Sequence, residues 1–133
     1  MSKEIKAIKR SSIANELTKY DMVLPDDLPI VSGYRLLVMP LKAREKTKGG
    51  VIITDVTKEA DEYAAQVAIV LDMGPAAYAD VDKYGPEPWC GIGSWVLLAK
   101  YSGKWFNYKG SKFKIINDDE VLGVVTAPED VTR

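Results

Sequence analysis

Apolar residues along the chain change their spacing near position 30. Before it, Ile5, Ile8, Ile13 and Leu17 recur at loosely helical intervals, and the following Asp21 to Pro29 carries two prolines and the pair Asp26-Asp27. The spacing predicts one weak helix inside an N-terminal extension covering residues 1–30, followed by a stretch that breaks regular structure. Two fates suit such an extension, a partly disordered tail or a partner-binding arm. From Ser32 onward the chain turns to short, β-favouring apolar runs: Tyr34 to Pro40, Val51 to Thr54, Gln66 to Leu71, Trp95 to Ala99, Trp105 to Tyr108, Phe113 to Ile116 and Val121 to Val125. Turn-forming residues separate them, among them Ser32-Gly33, Gly49-Gly50, Gly74-Pro75, Gly85-Pro86, Ser102-Gly103, Lys109-Gly110 and Asn117-Asp118-Asp119. This pattern predicts an all-β domain over 31–133, a small antiparallel barrel or sandwich. The one later helix-like stripe, Lys58 to Tyr63, is too short to stand alone.

Two stretches are too long for tight hairpins. The first, Lys42 to Ala65, sets Val51-Ile52-Ile53-Thr54 between a basic arm reaching Gly49-Gly50 and an acidic arm, Asp55 to Glu62. The second, Gly74 to Gly93, holds three prolines with Tyr78, Tyr84 and Trp89 and shows no strand pattern. Loops longer than about a dozen residues in a small domain are usually functional or disordered.

Composition narrows the function. The chain has 133 residues, 47 % of them apolar, enough for one domain with its own core. Its 18 basic and 19 acidic residues nearly cancel, so no bulk field points to nucleic acid or an anionic membrane. A single cysteine, Cys90, has no partner for an intramolecular disulfide, and it reads as a reduced thiol in a cytoplasm. The start Met1-Ser2-Lys3-Glu4 lacks an apolar leader and no later segment approaches a membrane span. Histidine is absent, which removes the commonest general base and zinc ligand.

No reactive constellation replaces it. Asp118, Asp119 and Glu120 are adjacent on a turn and read as a solvated hairpin corner. Asp80 and Asp82 lack the further oxygen ligands of a calcium loop. Gly49-Gly50 is not followed by the Lys-Ser/Thr of a phosphate loop. Trp105, Phe106 and Tyr108 beside Lys104 and Lys109 could stack on a single strand, but with a near-neutral chain they read first as packing residues. No metal, cofactor or enzymatic activity is expected. Taken alone, Val51-Ile52-Ile53 after Gly-Gly reads as a buried hairpin strand.

Together, however, the segments resemble the GroES-type co-chaperonin family over about Tyr34 to the end. Tyr34-Arg35-Leu36-Leu37-Val38-Met39-Pro40 resembles its opening strand. Lys46-Thr47-Lys48-Gly49-Gly50-Val51-Ile52-Ile53 resembles its mobile loop. Gln66 to Val70 resembles the strand after that loop, and Gly93 to Leu98 with Lys100-Tyr101-Ser102-Gly103 its Gly-Asp-x-Val strand and Tyr-Gly-Gly turn. Asn117 to Val125 resembles the closing segment. Three positions depart from the pattern: Tyr34 and Ser94 stand where the family has aspartate, and Ala65 where it has glycine. The stretch around Gly74-Pro75-Ala76-Ala77-Tyr78 and Pro88-Trp89-Cys90 is similar to co-chaperonin-like sequences carried by bacterial viruses.

The resemblance implies a GroES-like β-barrel that forms a ring, heptameric in the family, and acts as a cytoplasmic lid. Its partner is an ATP-bound GroEL-type chaperonin ring enclosing client protein. Gly49, Gly50, Val51, Ile52, Ile53 and Thr54 would dock on the chaperonin. Tyr78, Asp80, Asp82 and Tyr84 would belong to the roof. Leu36, Val38, Val121, Leu122 and Val124 would meet neighbouring subunits. Two readings from other classes stand beside this one: a self-assembling structural β-barrel in which Val51 to Ile53 is an ordered, buried strand, and a barrel binding single-stranded nucleic acid through Trp105, Phe106 and Tyr108.

Overall fold

The computed structural model describes residues 3–41, 66–99 and 101–131, with side chains from Arg10 onward. Helix α1 spans Lys3–Thr18, and six strands follow: β1 Arg35–Pro40, β2 Gln66–Met73, β3 Trp95–Leu98, β4 Lys104–Tyr108, β5 Ser111–Asn117 and β6 Val121–Val125. A one-turn helix, α2 (Val81–Tyr84), interrupts the β2–β3 connection. Among the described residues the five strand pairings are all antiparallel, in the order β4-β5-β1-β2-β3-β6.

Chain geometry makes this sheet curl. Strands β5 and β6 stand four places apart in the order, about 19 Å across a flat sheet. Their connection is one 3₁₀ turn, Asp118–Glu120, and four residue steps reach at most about 14 Å even when fully extended. The strands therefore roll into a barrel that brings the end of β5 to the start of β6. The β4–β5 hairpin turns through Lys109 and Gly110, both at positive φ (54° and 79°), as a type I′ turn requires. At Gly103, φ is 68° and an added Cβ would lie 2.2 Å from the Ile115 carbonyl oxygen, so no other residue fits this corner without moving backbone.

Both faces of the sheet are buried. Alternate positions Leu36, Val38, Ala68, Val70, Val96, Leu98, Ile116 and Val121 form an inner core that also takes in Tyr78, Tyr84 and Cys90 from the β2–β3 connection. The opposite positions Leu37, Met39, Val67, Ile69, Leu71, Trp95 and Phe113 form a second core with Ile13 and Leu17 of α1 and with Val31. Leu17 is fully buried. Polar contacts fix this outer layer: Trp95 Nε1 donates to Glu16 at 3.1 Å, Tyr20 Oη to Glu129 at 2.6 Å and Tyr108 Oη to Asp27 at 2.5 Å. The Arg10 guanidinium donates to the Pro25 carbonyl. Tyr20 meets Trp95 edge to face at 5.4 Å, and its phenol, bonded to the Glu129 carboxylate, is pushed up to about 12. The extension is thus packed as a layer on the barrel wall, not left as a tail.

Candidate functional site

The stretch expected to dock, Gly49 to Thr54, lies outside the described residues, as does all of 42–65. Its two roots are described. Pro40 pairs with Ala68 across β1 and β2, and Leu41 N donates to the Val67 carbonyl at 2.8 Å. The chain therefore leaves and re-enters the barrel through adjacent, hydrogen-bonded strands at one rim. Antiparallel pairing places the β4–β5 turn at that rim and the β2–β3 and β5–β6 connections at the opposite one.

At the opposite rim, residues 74–94 fold back over the inner core. Tyr78, Tyr84 and Trp89 make mutual ring contacts with centroids 4.9 to 5.7 Å apart. The Tyr78 hydroxyl lies 3.4 Å from Cys90 Sγ. Burial, then the contact with Cys90 and the charge of Asp118, push the Tyr78 phenol up, and burial likewise raises the Cys90 thiol. Cys90 is therefore a packing residue held neutral. Tyr84 Oη donates to Asp118 at 2.6 Å and Tyr78 N to the other Asp118 oxygen at 3.0 Å.

Several sequence expectations change here. Asp118 is 3 % exposed, so it is the anchor of the connection and not a solvated corner; Asp119 does reach solvent, bonded to Lys83 at 3.1 Å. Of the four residues expected in a roof, Asp80 and Asp82 present side chains to solvent, whereas Tyr78 and Tyr84 turn into the core. The assignment of Leu36 and Val38 to a subunit interface is corrected. Strand β1 is paired on both sides, by β2 and β5, and both side chains are fully buried in the chain's own core. Val121 is buried at 6 %, while Leu122 and Val124 on the edge strand β6 are 66 % and 49 % exposed. Sequence reasoning missed Lys114, fully buried on the inner parity of β5 with Nζ 3.1 Å from Gln66 Oε1. Desolvation lowers its ammonium.

The Asp118 network has a measurable weight. Tyr84→Phe removes one donor to a buried carboxylate, and the cost expected is about 1–2 kcal/mol, read as a lower denaturation midpoint with an unchanged slope. An unaltered midpoint would mean that Asp118 is solvated in solution.

For catalysis the described surface offers little. A shallow, open groove between α1 and β6 is lined by Ile13, Glu16, Trp95 and Val125, among others. Glu16, its ionisable group, is already bonded to Lys19 and Trp95, which hold its carboxyl below the usual range. Among the described residues no three His, Cys, Asp or Glu side chains converge as a metal site, and no helix is long and apolar enough to cross a membrane.

Comparison with known proteins agrees with this architecture. The family model described as "Chaperonin 10 Kd subunit" matches residues 31–125, from Val31 before β1 to the last residue of β6. The chain is 33 % identical over 93 residues to the co-chaperonin GroES of Clostridium beijerinckii, covering 70 % of this chain and 93 % of that protein. It is 39 % identical over 92 residues to co-chaperonin GroES of Desulfatibacillum aliphaticivorans, 68 % of this chain and 90 % of that protein. With co-chaperonin GroES 5 of Rhizobium meliloti it shares 33 % identity over 93 residues, 70 % and 85 % of the two chains. Helix α1 precedes the matched segment, so the second core layer is an addition to the shared barrel. From before β1 to the end of β6, the chain belongs by sequence to the chaperonin 10 Kd subunit family, the co-chaperonins of the GroES type.

Proposed function

We propose that this co-chaperonin forms a ring of about seven copies that caps a GroEL-type chaperonin in its ATP-bound state and encloses client protein. The observation that carries the reading is the match over nearly the whole length of GroES relatives, joined to a barrel whose 42–65 excursion leaves and returns at one rim. In the ring, Leu122 and Val124 of the open edge β6 meet the neighbouring subunit, near the segment preceding β1. Exposed apolar side chains on an edge strand with one open side are what a closed ring would cover. Cyclic symmetry then sets all the 42–65 excursions around one mouth, where Gly49 to Thr54 present Val51, Ile52 and Ile53 to an apolar groove on the partner.

One docked loop binds weakly, because ordering costs offset much of the roughly 1.5–3 kcal/mol gained per buried aliphatic side chain. Several linked loops bind tightly through effective concentration, and still release when the partner changes state. Residues 74–94 form the roof, with Asp80 and Asp82 towards solvent and the Tyr78–Tyr84–Asp118 cluster holding the loop from beneath. The lid carries out no chemistry of its own; nucleotide hydrolysis belongs to the partner, and the setting is the cytoplasm. Encapsulation is tested by protease. A non-native client on the chaperonin should become resistant when lid and ATP are added together, and a client digested equally with and without the lid would refute the capping role.

A further inference from the structure

Two charged side chains are buried among the described residues, Lys114 at 0 % exposure and Asp118 at 3 %. Each is tied to one of the two long excursions. Asp118 accepts from Tyr78 N and Tyr84 Oη and so holds 74–94. Lys114 Nζ donates to Gln66 Oε1 at 3.1 Å, and Gln66 is the first residue of β2, where the 42–65 excursion re-enters the barrel.

Strand register shows why this root takes a tether. On one side Gln66 pairs with Leu98 of β3. On the other, the β1 pairing ends with Pro40 opposite Ala68 and stops short of Gln66. Lys114 reaches it from β5, where it stands opposite Val38. Strands β5 and β2 flank β1, about 10 Å apart in a flat sheet, and the curl of the barrel lets the long side chain span beneath β1. Lys114 thereby joins the strand that precedes the excursion to the strand that follows it.

Packing alone does not call for an ammonium at this position. Leu36, Val38 and Ile116 on the same face are apolar and buried. Desolvation lowers the Lys114 ammonium, with the charge of Glu120 acting in the other direction. The ring of Trp105 has Lys114 Nζ 4.8 Å and Lys112 Nζ 4.3 Å from its centroid, two like charges beside one indole. Methionine would fill the same volume and keep a favourable contact with the ring without a desolvated charge. What it cannot supply is the bond to Gln66.

We propose that Lys114 is a positioning residue for docking: by holding Gln66 it fixes the root from which the 42–65 excursion projects, so that every copy in a ring presents Val51 to Ile53 alike. This rests on the co-chaperonin reading above. A fixed root lowers the ordering cost of each docked loop. Because the loops act together, a loss of about twofold per loop compounds to about a hundredfold over about seven copies.

The test measures two quantities for each variant: affinity for a tetradecameric bacterial chaperonin with ATP, and the urea midpoint of the lid alone. Lys114→Met should keep or raise the midpoint and bind at least about tenfold more weakly. Gln66→Ala should also weaken binding, whereas Gln66→Glu, whose carboxylate still accepts from Lys114, should bind like the wild type. The double variant Lys114→Met/Gln66→Ala should lose no more affinity than Lys114→Met, since both act through one bond. If Lys114→Met does not fold, the contrast between Gln66→Ala and Gln66→Glu decides, and equal affinities there overturn the inference. A Lys114→Met lid that binds like the wild type, or that loses affinity and stability together, also overturns it and leaves the lid reading standing. A wild type that binds no chaperonin overturns the lid reading beneath it.

Discussion

Ile52→Asp is expected to abolish ATP-dependent association with the chaperonin while leaving the fold and the ring intact. The substitution exchanges an aliphatic side chain, worth roughly 1.5–3 kcal/mol when buried, for a carboxylate that would have to be desolvated without a partner. A loss of about 3 kcal/mol or more in one loop is over a hundredfold in its affinity. Repeated in every copy of the ring, it removes the multivalency on which tight capping depends. Ring assembly is read separately by sedimentation of the lid alone, which should not change. A variant that binds like the wild type would show that the aliphatic triplet does not dock, and a variant that no longer assembles would place Ile52 in the subunit's own structure, as the self-assembling reading requires.

The second large effect concerns stability. Leu17→Ala should destabilise the protein by about 2–5 kcal/mol. Leu17 is fully buried in the core of the wall, 0 % accessible to solvent among Trp95, Ile69 and their neighbours, and its truncation leaves a cavity beneath α1. The comparison that gives this meaning is an exposed residue of the same helix: Asn15→Ala should change the midpoint by less than about 0.5 kcal/mol. Equal, small effects at both positions would mean that α1 is not docked in solution and that the barrel stands without it.

Much of the barrel was legible because its strands alternate or run apolar between strong turn signals. Val121–Val125 was read at its observed bounds, and β1, β2, β3, β4 and β5 were found with shifts of one or two residues. The excursion at 74–94 was also legible, since prolines and aromatics without a period leave no regular element long enough for a strand. Harder to read was what lies against what. Asp118 looks like its acidic neighbours in sequence; its burial comes from Tyr84, 34 positions away, and no local pattern encodes that. Leu36 and Val38 look as suited to a neighbour as Leu122 and Val124 do, and strand order alone separates an inner strand from an edge. One missed feature did have a signal. The runs Leu36-Leu37-Val38-Met39 and Val67 to Leu71 are apolar on both parities, as strands covered on two faces are, and this called for a second layer that the helix-spaced Ile13 and Leu17 supply.

The most direct test of the central claim is sedimentation velocity of the purified protein mixed with a tetradecameric bacterial chaperonin, with and without ATP. The account predicts that the protein moves with the chaperonin boundary when ATP is present and separates from it when ATP is absent. Independent sedimentation under both conditions, repeated with several chaperonins, would contradict it and favour a β-barrel that assembles with itself.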